Sequence, residues 1–246
     1  MLRRMSATPK GRCPRKAPMK KLLSIVFLPL VALTMIATSA VSAYADATVY
    51  VVHGIPDVPV DVAVDGACAL EGFVFGDQAG PLTLPAGDHQ ITISLADEMA
   101  PCGGDVVLDA TVPFLADENV TVIAYLDETG NPTAGKFDND FSRTDPGTAR
   151  ILLHHTAAAP VVDVAVDRDM DATFAAAIED FANGDQVVTS LRPGEWYVWL
   201  APAGSPDPVF GPEPAKFKPF TAYRVFAVGS IAAGNFQLLA FADKAK

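Results

Sequence analysis

The sequence predicts an all-β protein: two tandem antiparallel β-sandwich domains of immunoglobulin or prealbumin type, preceded by an N-terminal signal peptide. Three observations carry this expectation. Residues 1–45 have the layout of an export leader. The phrase DVAVD occurs at 61–65 and again at 163–167, inside a longer series of matched blocks. Short β-branched or aromatic runs recur down the chain, separated by Gly, Pro, Asn and Asp.

The leader comes first. Residues 1–21 hold eight basic residues and no acidic one, and Leu22 to Ala37 is apolar apart from Ser24 and Thr34. The small-residue stretch TSAVSAYADA follows. A basic segment, a short apolar core and an A-x-A site form a secretory signal. Ala43-Tyr44-Ala45 is the preferred site, cutting between Ala45 and Asp46, with Val41-Ser42-Ala43 as second choice. The competing reading is a retained transmembrane anchor; the short run, Pro29 and the cleavage site speak against it. Met19-Lys20-Lys21 resembles a more ordinary start, which would make the preceding residues an over-extension. The residue after the cleavage site is Asp46 and not a Cys that could carry a lipid, and LLAFADKAK at the end has no long apolar tail. The expectation is a secreted or periplasmic protein with no membrane attachment after cleavage.

Cleavage changes the charge. The chain has 18 basic and 29 acidic residues, and eight basic ones lie in the leader, so 46–246 keeps 10 against 29, a formal −19. Such a surface repels phosphate backbones and anionic membranes, which disfavours nucleic-acid partners. It suits solubility, or else cation binding. Cys13 lies in the leader, leaving Cys68 and Cys102. In an oxidising compartment an even pair reads most simply as a disulfide, with free thiols or a metal pair as the alternative.

The repeat sets the domain organisation. VYVVHGIPDVPVDVAVDG (49–66) parallels RILLHHTAAAPVVDVAVDR (150–168), so that His53 falls on His155, Asp61 on Asp163 and Asp65 on Asp167. Gly76-Asp77-Gln78 recurs as Gly184-Asp185-Gln186, and Leu84-Pro85-Ala86-Gly87 as Leu191-Arg192-Pro193-Gly194. ENVTVIAYL (118–126) parallels AYRVFAVGS (222–230). Matched blocks in constant order indicate duplication, with domains over 46–145 and 146–246 joined near Asp145-Pro146-Gly147, a turn-forming tripeptide.

Each copy yields about seven strand-like runs. Val60, Val62 and Val64 share one strand face, and Asp61 and Asp65 the other, before Gly66 permits a tight turn. HQITISL and WYVWL alternate in the same way, and VTVIAYL and YRVFAV read as buried strands. DATFAAAIEDFAN (171–183) stands apart. Phe174, Ile178 and Phe181 recur at helical spacing and Asp171 stands where a cap would, so a short helix competes with a strand ending at Phe181.

The order V-x-V-V-H-x-x-P-D-x-P-x-V-D-V-x-V-D-G, then F-G, L-P-A-G-x-H-x-I-x-I and V-T-V-I-A, resembles the bacterial and archaeal extracellular family known as domain of unknown function 4397. The first copy carries it nearly whole, from Val49 to Tyr125; the second has Ala157-Ala158-Ala159 in place of Pro56-Asp57 and Arg168 in place of the turn glycine. The resemblance implies a secreted β-sandwich, commonly in tandem, and implies no activity.

Chemistry-bearing motifs are sparse. No G-x-S-x-G, H-E-x-x-H, P-loop or G-x-G-x-x-G is present. The adjacent His154 and His155 point to opposite strand faces and so make a poor joint metal site. His53 and His155, at equivalent strand ends, suit a ring hydrogen-bonded beside the following turn. Asp61 and Asp65 on one strand stand about 13 Å apart, too far for one ion. Asp61 and Asp163 suit bonds to backbone amides of the preceding Pro-containing loop, or an outlook onto water. Asp138 and Asp140 in KFDNDFSRTD are the best candidates for calcium, though without EF-hand spacing or a closing Glu; no other cofactor is expected. Trp196, Tyr197 and Trp199 are candidates for a sugar platform, with one tryptophan taken up by the core.

The function these readings favour is a non-catalytic exported module that binds, or builds structure with, an envelope or extracellular protein or polysaccharide. The alternative is a cation-dependent carbohydrate-binding or enzyme-accessory protein.

Overall fold

Val60-Asp61-Val62-Ala63-Val64 folds as a strand in the computed structural model, which describes residues 45–170 and 173–245. The leader up to Tyr44, with the cleavage motif's first residues, lies outside the described residues. Sixteen strands and no helix are found among those described. The N-terminal half contains β1 (Ala47–His53), β2 (Val60–Val64), β3 (Ala67–Phe73), β4 (Gln78–Leu84), β5 (Gly87–Leu95), β6 (Val106–Phe114), β7 (Asn119–Leu126) and β8 (Pro132–Asp138). The C-terminal half contains β9 (Ala149–His155), β10 (Val162–Asp167), β11 (Ile178–Phe181), β12 (Gln186–Leu191), β13 (Gly194–Pro202), β14 (Phe210–Phe217), β15 (Thr221–Val228) and β16 (Gln237–Lys244).

Each half is a sandwich of two four-stranded sheets. The orders are β4-β1-β7-β8 over β3-β2-β5-β6, and β12-β9-β15-β16 over β11-β10-β13-β14. Adding eight to each label of the first pair gives the second. All pairings are antiparallel except two: β1 runs parallel to β7, and β9 parallel to β15. A parallel neighbour needs a long crossover, and here the crossover is the intervening set of strands, most of them in the opposite sheet.

The strand period explains the cores. On β1, Ala47, Val49 and Val51 point into the N-terminal sandwich, packing with Val120, Val122 and Phe114. Ile151 and Leu153 do the same in the C-terminal sandwich with Tyr223, Val225 and Phe217. The alternate residues point the other way and are also buried, because the outer faces of β1–β7 and β9–β15 pack on each other. Val52, Ile123, Tyr125 and Phe137 of one half meet Phe226 and Val228 of the other, and Tyr50 and Phe141 meet Leu152 and Ala222. β7 and β15 are therefore buried on both faces, which is why they read as continuous apolar runs.

The segment 171–183 is a strand ending at Phe181 and not a helix over its described part. Asp171 and Ala172 lie outside the described residues; Ile178 pairs with Val164 and Phe181 with Val162 across β10. Phe181 sits in the core beside Val164 and Leu200. The open ladder edge of β10 and this burial outweigh the helical spacing, as tertiary context commonly outweighs local propensity.

Candidate functional site

The repeated polar residues are the natural place to look for a site, and each is engaged with the backbone. His53 and His155 end β1 and β9. Nε2 of His53 lies 2.6 Å from the Val58 carbonyl and Nε2 of His155 lies 3.2 Å from that of Pro160, each five residues downstream. Both rings are buried, and burial holds both below the usual histidine range. Each is neutral, with its proton on the nitrogen facing the turn.

Asp61 and Asp163 are buried on the outer faces of β2 and β10. They do not bond the preceding Pro-containing loop, as the sequence suggested, but later segments. Asp61 accepts from Gly72 N at 2.8 Å, from Cys102 N at 2.8 Å and from Asp97 N at 3.4 Å. Asp163 accepts from Asp180 N at 2.9 Å and from Gly204 N at 2.8 Å. In both halves one carboxylate thus ties the next strand to the loop after the fifth strand. Burial alone would raise the Asp61 pKa, but the amides together outweigh it and leave it lowered.

Cys68 and Cys102 form a disulfide with Cα atoms 5.7 Å apart, joining β3 to that same loop. The C-terminal half keeps the carboxylate clamp without the bond.

Asp65 and Asp167 are where the halves diverge. Asp65 and Gly66 both have positive φ, 52° and 78°, the geometry of the tight hairpin turn that Asp-Gly favours. Asp65 Oδ2 lies 2.6 Å from His89 Nδ1, while His89 Nε2 lies 2.8 Å from the Pro85 carbonyl. Two acceptors flank one ring, so both nitrogens must carry protons to satisfy them. The Pro85 carbonyl and then Asp65 raise the His89 pKa. In the other half Trp196 occupies the position of His89, pairing with Ala215 as His89 pairs with Val112. Its face is covered by the Arg168 guanidinium 4.7 Å from the ring centre, and its N–H donates to the Arg192 carbonyl. Asp167 turns to the Asp169 amide.

The remaining candidates do not converge. Asp140 Oδ1 lies 3.0 Å from Arg150 Nη1 and caps the Ser142 amide. Asp138 is exposed on the end of β8. No group of three or more His, Cys, Asp or Glu is placed to hold a metal among the described residues. Trp199 is buried, so neither tryptophan is a bare platform. Ala45 and Asp46, the predicted cleavage pair, lie exposed just before β1.

Arg224 went unnoticed in the sequence. Its side chain is fully buried between the halves. It donates to Asp243 Oδ2 at 2.9 and 3.0 Å, to Thr121 Oγ1 at 2.9 Å and to Gln78 Oε1 at 2.7 Å. Its guanidinium lies 4.0 Å from the centre of the Tyr50 ring. The available signal was an arginine inside AYRVFAV on the same strand face as Ala222 and Phe226.

These features define a disulfide-bearing double β-sandwich whose repeated histidines and aspartates hold turns and loops in place. Residues 47–165 match the family model described as Domain of unknown function (DUF4397). The match covers the whole N-terminal sandwich and continues through β9 into β10, so the resemblance read from the sequence is borne out over that stretch. No curated protein matches the chain.

Proposed function

We propose that the chain is exported, loses residues 1–45 and works outside the cytoplasm as a non-catalytic module of two duplicated domains, 46–145 and 146–246. Its partner in this reading is an envelope or extracellular protein or polysaccharide. The observation that carries it is the matched use of His53 with His155 and Asp61 with Asp163: residues recurring at equivalent positions are bonded to backbone groups in both halves. What the two copies have in common is therefore architecture. The disulfide supports an oxidising compartment, and the formal charge of 46–246 suits a protein that stays soluble there.

The test has two parts. Expressed in its native host, the chain should be recovered from periplasm or medium beginning at Asp46; a full-length chain left in the cytoplasm or membrane would contradict export. Cross-linked on the intact envelope, it should recover a specific bound protein or glycan. Conversion of a glycan or peptide substrate by the purified chain would contradict the non-catalytic reading.

A further inference from the structure

The two sandwiches differ in their interiors. Between the sheets of the C-terminal half lies a cavity of about 390 Å³; at the equivalent place in the N-terminal half the space is about 30 Å³. Register shows why. Lys136 of β8 pairs with Val122 of β7, and Ala240 of β16 pairs with Val225 of β15, so Lys136 and Ala240 hold equivalent positions. Lys136 crosses to β6, donating to the Pro113 carbonyl at 2.7 Å and to Glu118 at 2.7 Å, with its ammonium 5.5 Å from the centre of the Phe114 ring. Ala240 has nothing with which to cross to β14. Likewise Val112 becomes Ala215 and Leu82 becomes Thr189. All three shorter side chains line the larger cavity.

We propose that this cavity is a binding site for a neutral, single-chain or alicyclic lipid-like molecule. The volume falls in the range of small-molecule sites. The walls are mainly Ile, Leu, Val and Phe, with Thr189, Glu213, Lys216 and Tyr223 the polar side chains among them, and the stretch formed by Ile151, Leu153, Val164 and Phe217 offers water none of the two to four partners it needs. Unfilled space is costly in proportion to its volume, which favours apolar contents. Backbone neighbours Glu213 to Phe217 of β14, an edge strand, all line the cavity, and they face Leu238 and Ala240 on β16, the edge of the other sheet. This seam, closed by Lys136 in the first half, is the entrance. Its polar groups decide the head group. Glu213 lies on the same strand face as Ala215 and Phe217 and disfavours an anion. The cation at the rim, Lys216, is already 3.4 Å from Glu195.

The test uses the purified chain and N-phenyl-1-naphthylamine, a neutral apolar fluorophore. Trp196 and Trp199, the two tryptophans of the chain, both belong to the cavity-bearing half, so energy transfer from tryptophan reports where the probe sits. Saturable binding at one site is expected, with displacement by 1-dodecanol at least tenfold stronger than by dodecanoate at neutral pH. Ala240→Lys, which copies Lys136, and separately Thr189→Leu, which copies Leu82, should each weaken probe binding about tenfold or more while leaving the melting temperature unchanged or higher. Unsaturable binding, or unchanged binding in both variants, would overturn the site; stronger displacement by dodecanoate would overturn its neutral class.

Discussion

Arg224 donates to the hydroxyl of Thr121 at 2.9 Å, and the two residues hold the same register position in their respective halves. Thr121 pairs with Tyr50 and Arg224 with Leu152, each of which stands three residues before the histidine that ends its strand. Tyr50 and Leu152 also meet in one cluster, as do Ile123 and Phe226, another equivalent pair. Self-equivalent contacts of this kind mark a two-fold interface. Here both sides of that interface belong to one chain.

Arg224→Ala is therefore expected to destabilise the protein by about 3–5 kcal/mol, because it leaves Asp243 without its cation and opens a buried gap. Replacing Arg224 by Met together with Asp243 by Leu should recover most of the loss, since an apolar pair needs no compensation. Denaturant melts of the three proteins check this; equal losses in the single and double variants would show that the pair itself stabilises the interface.

His154 sets a pH dependence. The ring is buried, stacked with its centre 4.1 Å from that of Phe226 and meeting Phe137 of the other half edge-on at 4.9 Å, and burial pushes its pKa down to about 4. The unfolded chain takes up this proton near pH 6.5 and the folded one only near 4. Stability should therefore fall as pH drops through this window, by up to about 1.4 kcal/mol per unit. His53 and His155, also lowered, act in the same direction. His89 opposes them: its raised pKa gives stability that is fully present below about 6.5 and lost as pH rises through the folded value. His154→Leu should flatten the acid limb of a stability–pH curve relative to the parent, and an unchanged slope would contradict the assignment.

The carboxylate clamps predict matched losses. Asp61→Ala leaves three backbone amides and Asp163→Ala two without their charged acceptor, and each should cost about 2–3 kcal/mol. Asp61→Ala should in addition speed amide exchange at Gly72 and Cys102, and Asp163→Ala at Asp180 and Gly204. Exchange that stays slow at those amides would refute the clamp.

Removal of the disulfide by Cys68→Ser with Cys102→Ser should cost on the order of 3–4 kcal/mol from the 34-residue separation in the loop-entropy picture. In a chain that unfolds as one unit, the slowest-exchanging amides of both halves should speed up together, and the loop around 96–105 should open locally in addition. A rise confined to β1 to β8 would contradict the single unit.

The strands were legible where one face is buried and the other is not, as in Val60-Asp61-Val62, and where phrases such as Gly76-Asp77-Gln78 recur. Those signals are local and survive in one dimension. The partners of Asp61 lie 11, 36 and 41 residues away, and no period links them. Arg224 and His154 were opaque for a related reason. A strand pattern says which residues share a face, and it does not say that the outer face of one sheet is covered by another. The cavity was hidden because it arises from Ala240, Ala215 and Thr189 on three strands, visible only when register aligns them with Lys136, Val112 and Leu82.

Two like sandwiches are joined through an apolar, arginine-centred interface. Scanning calorimetry of the whole chain probes that directly. One transition is predicted, with calorimetric and van't Hoff enthalpies equal, separating into two in Arg224→Ala; two independent transitions in the unaltered chain would contradict it.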